Sequence, residues 1–473
     1  MKQKIFALFL ILCGLCLNLK AETQGDVVGR VLDDSGAPLA GATVQILHAK
    51  GGVTTDEDGY FRIPYSKDGA VRVKVSFVGY QTQTFVLKAD ERKGEQHVLR
   101  LQPDATALDQ VVVTATRTPK ALKDAPVVTR LITANDIKIA DATNIQDLLT
   151  EQMPGLEFGY AMNQETSLNM NGFGGNAVLF LVDGERLAGE TMDNVDYSRL
   201  NLDNVGRIEI VKGAASALYG ANAVAGVVNI ISRENSEPWT ANVNTRYNDF
   251  NKEWRHGGSF SFNAGKWNSQ TSIQRTTSDE VLLTSPFDTE SNILHIYGGE
   301  TFNVKERLTY KFSDKVKLIG RGGYFNRISK RSNYDDHYMD YSAGLKTVMN
   351  LSENDNLEIS YGFDQYDKAR YVNDERIHDH DYTNRQNTVR ALYSHIFGKN
   401  TLTVGADFLN DYLTTYQFED NASKNQNSCD AFAQFDYNPL QWLNIVASLR
   451  HDYFSASSQH ATTGRLALMT KWK

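Results

Sequence analysis

Two short runs carry the side chains best suited to ligating a metal or gripping a polar solute. One is Asp374-Glu375-Arg376-Ile377-His378-Asp379-His380-Asp381; the other is Tyr334-Asp335-Asp336-His337-Tyr338-Met339-Asp340-Tyr341. Imidazole and phenolate are both competent metal ligands. His337, Tyr338, His378 and His380 are therefore candidate substrate contacts, and a solvated surface loop is the plainer reading of both runs. No enzyme signature accompanies them: none of the ten histidines lies in a His-Glu-x-x-His run, and no Gly-x-Ser-x-Gly elbow is present. Asp56-Glu57-Asp58-Gly59 could pass for a calcium loop. With Gly59 in the sixth position, however, the first and twelfth fall on Thr54 and Tyr65, and a turn remains. The tract Gly172-Phe173-Gly174-Gly175 precedes an apolar strand, whereas a phosphate-binding glycine run follows a strand and opens a helix. No resident metal or cofactor is expected.

The elements that must position these groups begin with a leader. Lys2 and Lys4 precede a mainly apolar run from Ile5 to Leu19, and Lys20-Ala21 offers a cleavage point, so residues 1–21 read as an export signal rather than a single-pass anchor. Cys13 and Cys16 fall within it, which leaves Cys429 alone and no internal disulfide or multi-cysteine metal site. A net charge of -8 without a long basic run argues against nucleic acid. Mean hydropathy of -0.41 argues against a helical membrane protein. The 22 Tyr and 22 Phe in a chain that is not hydrophobic overall suit a transmembrane β-barrel.

Residues 26–101 read as about six short strands separated by turns, an Ig-like β-sandwich. The pattern Gly29-Arg30-Val31, then Gly36-Ala37-Pro38-Leu39-Ala40-Gly41-Ala42-Thr43-Val44, then Thr55 to Phe61 resembles the carboxypeptidase-regulatory-like domain. Next comes Asp109-Gln110-Val111-Val112-Val113-Thr114-Ala115, whose three valines form a bare strand candidate with both faces β-prone. Residues 119–233 turn mixed α/β, with helices expected at Ala134 to Ile139 and Asn144 to Gln152 and strands at Ala177 to Val182 and Val205 to Gly213.

From Glu237 onward the pattern has period two: Leu357, Ile359, Tyr361 and Phe363 alternate with Asn356, Glu358, Ser360 and Gly362. Short links at Gly265-Lys266, Ser313 to Lys315, Ser352 to Asp355, Gly398 to Asn400 and Asn438 to Leu440 alternate with long polar ones. The long ones are Thr276 to Asn303, Ile328 to Asp340, Tyr366 to Arg385 and Leu413 to Ser428. That sorting predicts an outer-membrane barrel of roughly twelve strands over 237–473, with short periplasmic turns and long external loops.

Pro154-Gly155-Leu156, Val178 to Gly184, Arg207 to Gly213 and Ser216 to Ile231 resemble, in order, the plug motifs of TonB-dependent outer-membrane receptors. Asn171 before Gly172 departs from the arginine usual there. The resemblance implies a mainly β chain: an N-terminal sandwich, an α/β plug and a partial barrel, about 12 of 22 strands, read as a truncated product. It marks Asp183, Gly184, Arg207, Glu209, Lys212, Gly213, Tyr219 and Gly220 as plug-motif residues. It makes 109–118 a TonB box offered for β-strand addition to TonB and its inner-membrane energising complex. It further implies residence among outer-membrane lipids of a Gram-negative bacterium, with the N-terminal domain and TonB box in the periplasm. The expected cargo is a ferric siderophore, haem or cobalamin. The alternatives are a glycan importer with a surface lipoprotein partner, or a passive porin or structural surface protein.

Overall fold

The computed structural model describes residues 25–471 apart from 34–35, 48–51, 66–70, 78–79, 81, 88–96, 102–110, 161–165, 190–193, 214, 234–236, 285–292 and 419–421. The leader, Asp109 and Gln110 lie outside the described residues. Two compact units emerge, one up to Leu108 and one from Asp109 onward.

The first unit holds a three-stranded sheet, Tyr60–Tyr65 beside Gly25–Leu32 beside His97–Arg100, and a four-stranded sheet in the order Gly52–Thr54, Thr43–Ile46, Val71–Ser76, Gln83–Leu87. The pairing of Gly25–Leu32 with His97–Arg100 is parallel. Inward-facing residues meet in one core of Val27, Val31, Val44, Ile46, Phe61, Val73, Val75 and Leu99. Buried Thr55 ties the turns to that core: its hydroxyl donates to the Leu39 carbonyl at 2.5 Å and accepts from the Ala42 amide at 2.8 Å. Thr55→Val keeps the shape but strands both groups, so a loss of about 1–3 kcal/mol is expected. Thermal melts of the two proteins measure it, and equal melting temperatures would refute the tie.

In the second unit, α1 (Ala134–Ala140) opens on a Thr133/Asp136 capping box and α2 (Ile145–Gln152) on Asn144, whose side chain accepts from the Asp147 amide. Both lie within a residue or two of their sequence-expected bounds, because these caps satisfy amides that the first turn leaves free. A five-stranded sheet runs Thr129–Thr133, Val205–Lys212, Gly226–Ser232, Val178–Val182, Glu185–Arg186. It and α2 enclose Ile132, Leu148, Leu149, Phe180, Ile208, Ile210 and Val228.

Around this domain bends a twelve-stranded antiparallel sheet, from Trp239–Asn248 to Gln459–Thr470 in sequential order. Its polarity is inside-out. Ile359 and Tyr361 are exposed on one face while Ser360 and Asp364 are buried on the other, and Leu449 points out between buried Ser448 and Arg450. A soluble sandwich buries its apolar face; a wall with lipid outside and a polar lumen inside does the reverse. No described helix is long and apolar enough to cross a membrane.

The links differ from expectation at one end. The expected loop Ile328 to Asp340 is only residues 331–334, joining Val316–Lys330 to Asp335–Asn350. The expected loop Tyr366 to Arg385 is only Asn373-Asp374, both at positive φ (51° and 66°), the geometry of a tight hairpin turn. Residues 276–303 contain a small hairpin, Val281–Thr284 with Ile293–Ile296. The physical reason is length: the strands on either side of Asn373 have 18 and 23 residues, where about ten cross a bilayer. Beyond the lipid both faces turn polar, and the hydrophobic alternation that marks a strand fades while the hydrogen-bonded ladder continues.

Candidate functional site

The valine stretch is not a bare edge. Val111–Val112 pairs with Lys120–Ala121, and among the described residues of the stretch only Val111 is well exposed. Val112, Thr114, Ala115 and Thr116 are buried. The Val113 amide, the Thr114 amide and the Thr114 hydroxyl all donate to one oxygen of Glu209, at 2.8, 2.8 and 2.7 Å. Glu209 is fully buried, and its other oxygen accepts from Arg207 Nε at 2.8 Å. Tyr219 closes the latch by donating to the Thr114 carbonyl at 3.0 Å, and Asn229 donates to the Thr114 hydroxyl at 3.0 Å. The plug-motif residues Arg207, Glu209 and Tyr219 thus converge on the end of the stretch. The sequence showed no reason for that meeting, because 95 residues separate Thr114 from Glu209.

Just beyond, Arg117 is clamped between the Tyr219 and Phe432 rings, 4.4 and 4.7 Å from their centroids, and faces Asp407 at 3.5 Å. Gln434 donates to the Thr116 carbonyl at 2.9 Å, and Lys120 pairs with Asp436. The chain therefore runs from the valine stretch into the barrel wall at once.

The turn Asp183-Gly184 (φ 52° and 85°) ends the plug hairpin against that wall. Arg321, Lys346 and Arg390 donate to the carbonyls of Val182, Asp183 and Gly184 at 2.9, 3.1 and 2.9 Å. The Asp183 carboxylate accepts from the Ser232 amide and hydroxyl at 2.9 and 2.8 Å. Burial alone would push the Asp183 carboxyl up, but Arg321, Arg307 and the Ser232 bonds outweigh it and hold it below its ordinary range. Glu185 behaves the same way: burial opposes its charge, and Arg390, Arg321 and Lys346 overcome it. A depressed carboxyl stabilises the fold above its unfolded pKa and loses that contribution as pH falls through the folded value. Plug stability should hold at pH 5 and fall below about pH 4. Asp183→Asn should be weaker at pH 7 and flatter with acid. Urea midpoints from pH 7 to 3 test this; parallel profiles for the two proteins would contradict it. Lys212 reaches the Pro154 carbonyl at 3.4 Å, and Gly213 and Gly220 take φ of 83° and 87°. A Cβ on Gly220 would also press Arg450 at 3.1 Å.

At the opposite end, the plug faces a cavity of about 500 Å³ between Asn194–Ser198 and the extended strands. Its wall carries Tyr338, Tyr366, Tyr382, Tyr416 and Phe418 with Arg327, Arg331 and Lys368, against Asp196 and Glu253. Arg327 lies 3.8 Å over the Tyr338 ring and bonds Asp196 at 2.9 Å; Tyr366 donates to Asp196 at 2.8 Å. Below it, Arg199 of the plug donates to Asp340 at 2.7 Å and to Asp364 at 2.9 Å. Burial works against the Arg199 charge, but Asp364 and Asp340 outweigh it and hold the guanidinium above its ordinary range.

Of the four substrate-contact candidates, only Tyr338 reaches this cavity. His337, on the other face of its strand, packs against Tyr371 at 4.3 Å. His378 is exposed and pairs with Asp381 at 2.9 Å, and His380 stacks on Tyr416 at 5.3 Å. These residues sit on strands, not in the loops expected. No group of three or more metal-ligating side chains is gathered among the described residues. Arg327, Arg331, Lys368 and Tyr366 carried no sequence signal of their own: Arg327, Tyr366 and Lys368 lie on strands and Arg331 in the short link 331–334.

A plug domain seated against a twelve-stranded wall that is polar inside and apolar outside is the architecture of plugged outer-membrane receptors. The TonB-dependent Receptor Plug Domain family matches residues 121–227, and the CarboxypepD_reg-like domain matches 27–113. The two domain matches and the relatives below support a TonB-dependent receptor. It is 25% identical over 378 residues to the vitamin B12 transporter BtuB of Vibrio vulnificus, covering 75% of this chain and 59% of the relative. It is 26% identical over 253 residues to an iron-regulated outer membrane virulence protein of Vibrio cholerae, covering 51% and 34%. In fold it resembles the siderophore receptor PirA of Acinetobacter baumannii (TM-score 0.61, 16% identity, 73% of this chain and 59% of that one). It also resembles the ferric enterobactin receptor PfeA of Pseudomonas aeruginosa solved with enterobactin (TM-score 0.59, 16% identity, 72% and 60%). These relatives are transporters and receptors, not enzymes. The chain spans about three-fifths of the B12 transporter's length.

Proposed function

We propose that this chain belongs to an energised outer-membrane importer whose cargo is a scarce chelate: a ferric siderophore, haem or cobalamin. The observation that carries the reading is the cavity over the plug, where three cations and five tyrosines, Tyr197 of the plug among them, meet only two carboxylates. Phenol faces and guanidinium forks suit an anionic, aromatic metal chelate, because the cations meet its charge and the rings its flat surfaces. A ferric catecholate fits that chemistry better than a neutral glycan. Residues Asp109 to Ala115 would be the segment that periplasmic TonB engages by strand addition. The short-turn end of the wall, where this segment enters, would face the periplasm. A passive pore has no use for the latched segment or for a plug.

The test is binding by the purified protein in detergent, read by tryptophan quenching with a ferric tris-catecholate, haemin and cyanocobalamin in turn. Saturable binding of the catecholate is expected, weakened about tenfold by Arg327→Ala, the loss of one charge-assisted contact. Binding of none of the three, or catecholate binding indifferent to Arg327, would overturn the reading.

A further inference from the structure

A second cavity, about 240 Å³, lies between the plug hairpin and the wall at the short-turn end. Lys317 marks its mouth, one residue into the strand that follows the turn 312–315. Seven cationic side chains line it against two carboxylates, Asp183 and Glu358. Three further carboxylates stand behind the lining: Glu185 near Arg321 and Lys346, Glu209 on Arg207, and Asp407 on Arg390 and Arg117. Seven cations against five anions still leave an excess of two. Arg321, Lys346 and Arg390 are spent on hairpin carbonyls. Lys317 makes no ion pair among the described residues.

The Arg117 fork supplies an independent observation. The guanidinium is buried and stacked between two rings, yet its Nε and Nη1 have no hydrogen-bond partner among the described residues. Unmet donors on a buried arginine are costly, and a cleft with low-dielectric walls focuses the positive potential into its space. An oxyanion satisfies both, since paired oxygens match the guanidinium fork.

We propose that this cleft is a binding site for a multivalent oxyanion, held between Arg117 at its inner end and Lys317 at its mouth. Resting on the import reading above, its occupant in transport is the anionic chelate itself, detained on the periplasmic side after leaving the outer cavity. A phosphate-bearing lipid headgroup shares the chemistry and is the competing source.

Citrate is the probe, titrated calorimetrically into the intact chain in detergent at low salt. One site is expected, lost at least tenfold in Lys317→Glu and kept in Lys317→Arg, which restores the charge without touching the latch. No binding by the native chain, or equal binding by Lys317→Glu, would overturn the site. Displacement of citrate by short-chain phosphatidylglycerol would assign the cleft to lipid and overturn the cargo role. In cells, uptake of a ferric tris-catecholate should slow about fivefold in Lys317→Glu while its affinity at the outer cavity stays within about twofold; an unchanged uptake rate would remove the cleft from the route. Citrate binding needs no cargo, so failure of the import reading and failure of the site give different results.

Discussion

Replacing Glu209 with alanine is expected to release the segment around Thr114 and destabilise the plug by about 3 kcal/mol, near the lower end for breaking one side of a buried pair. One carboxylate oxygen takes three donors from Val113 and Thr114, and the other takes Arg207 Nε. Alanine leaves two amides and a hydroxyl unsatisfied in a space from which water is excluded. Arg207 is about one-third exposed and recovers part of its solvation, which is why the figure stays at the low end. Glutamine retains an acceptor but turns an NH₂ group towards the other donors, so an intermediate loss is expected. Hydrogen exchange of the Val113 and Thr114 amides, with urea unfolding alongside, measures both effects. Native protection of those amides in Glu209→Ala would show that the latch is held elsewhere.

The second large effect is expected at Arg199. Its guanidinium bridges Asp340 and Asp364 on adjacent wall strands and donates to the Ala188 carbonyl of the plug at 2.6 Å. Arg199→Leu keeps most of the volume but leaves two carboxylates facing each other without their counter-charge. The expected cost is about 3–5 kcal/mol. It should appear as plug release rather than loss of the wall: far-UV β signal persists while protease cuts within 129–232. A variant with an unaltered protease pattern would mean that the hairpin contacts to Arg321, Lys346 and Arg390 suffice to seat the plug.

Local chemistry made much of this architecture readable. Thr133, Asp136 and Asn144 announce the helix starts because caps act within three residues. Val178 to Gly184 announces a strand and its turn because a positive-φ Asp-Gly pair ends it. The twelve strands were countable because lipid and lumen impose period two. What was hidden is long-range. That Glu209 holds Thr114, or that Arg199 meets Asp340 and Asp364, depends on how plug and wall stack, and no local pattern encodes it. The His337 and His378 runs misled for a related reason: a polar strand beyond the membrane has the composition of a loop. Tyr338 alone of the four candidates lines the outer cavity, where its ring is also the platform under Arg327.

Within the valine stretch Val112, Thr114 and Ala115 are buried and Val113 is half-buried, so deleting the whole stretch would also unseat the plug. Gln110→Pro is the cleaner probe, since it removes a backbone donor upstream of the latched residues and disfavours strand addition there. Energised import through this segment is tested most directly by uptake of a radiolabelled ferric tris-catecholate in cells producing the native chain or Gln110→Pro, with surface binding measured on the same cells. The account predicts unchanged binding and uptake reduced at least tenfold in the variant. Equal uptake by the two would contradict it.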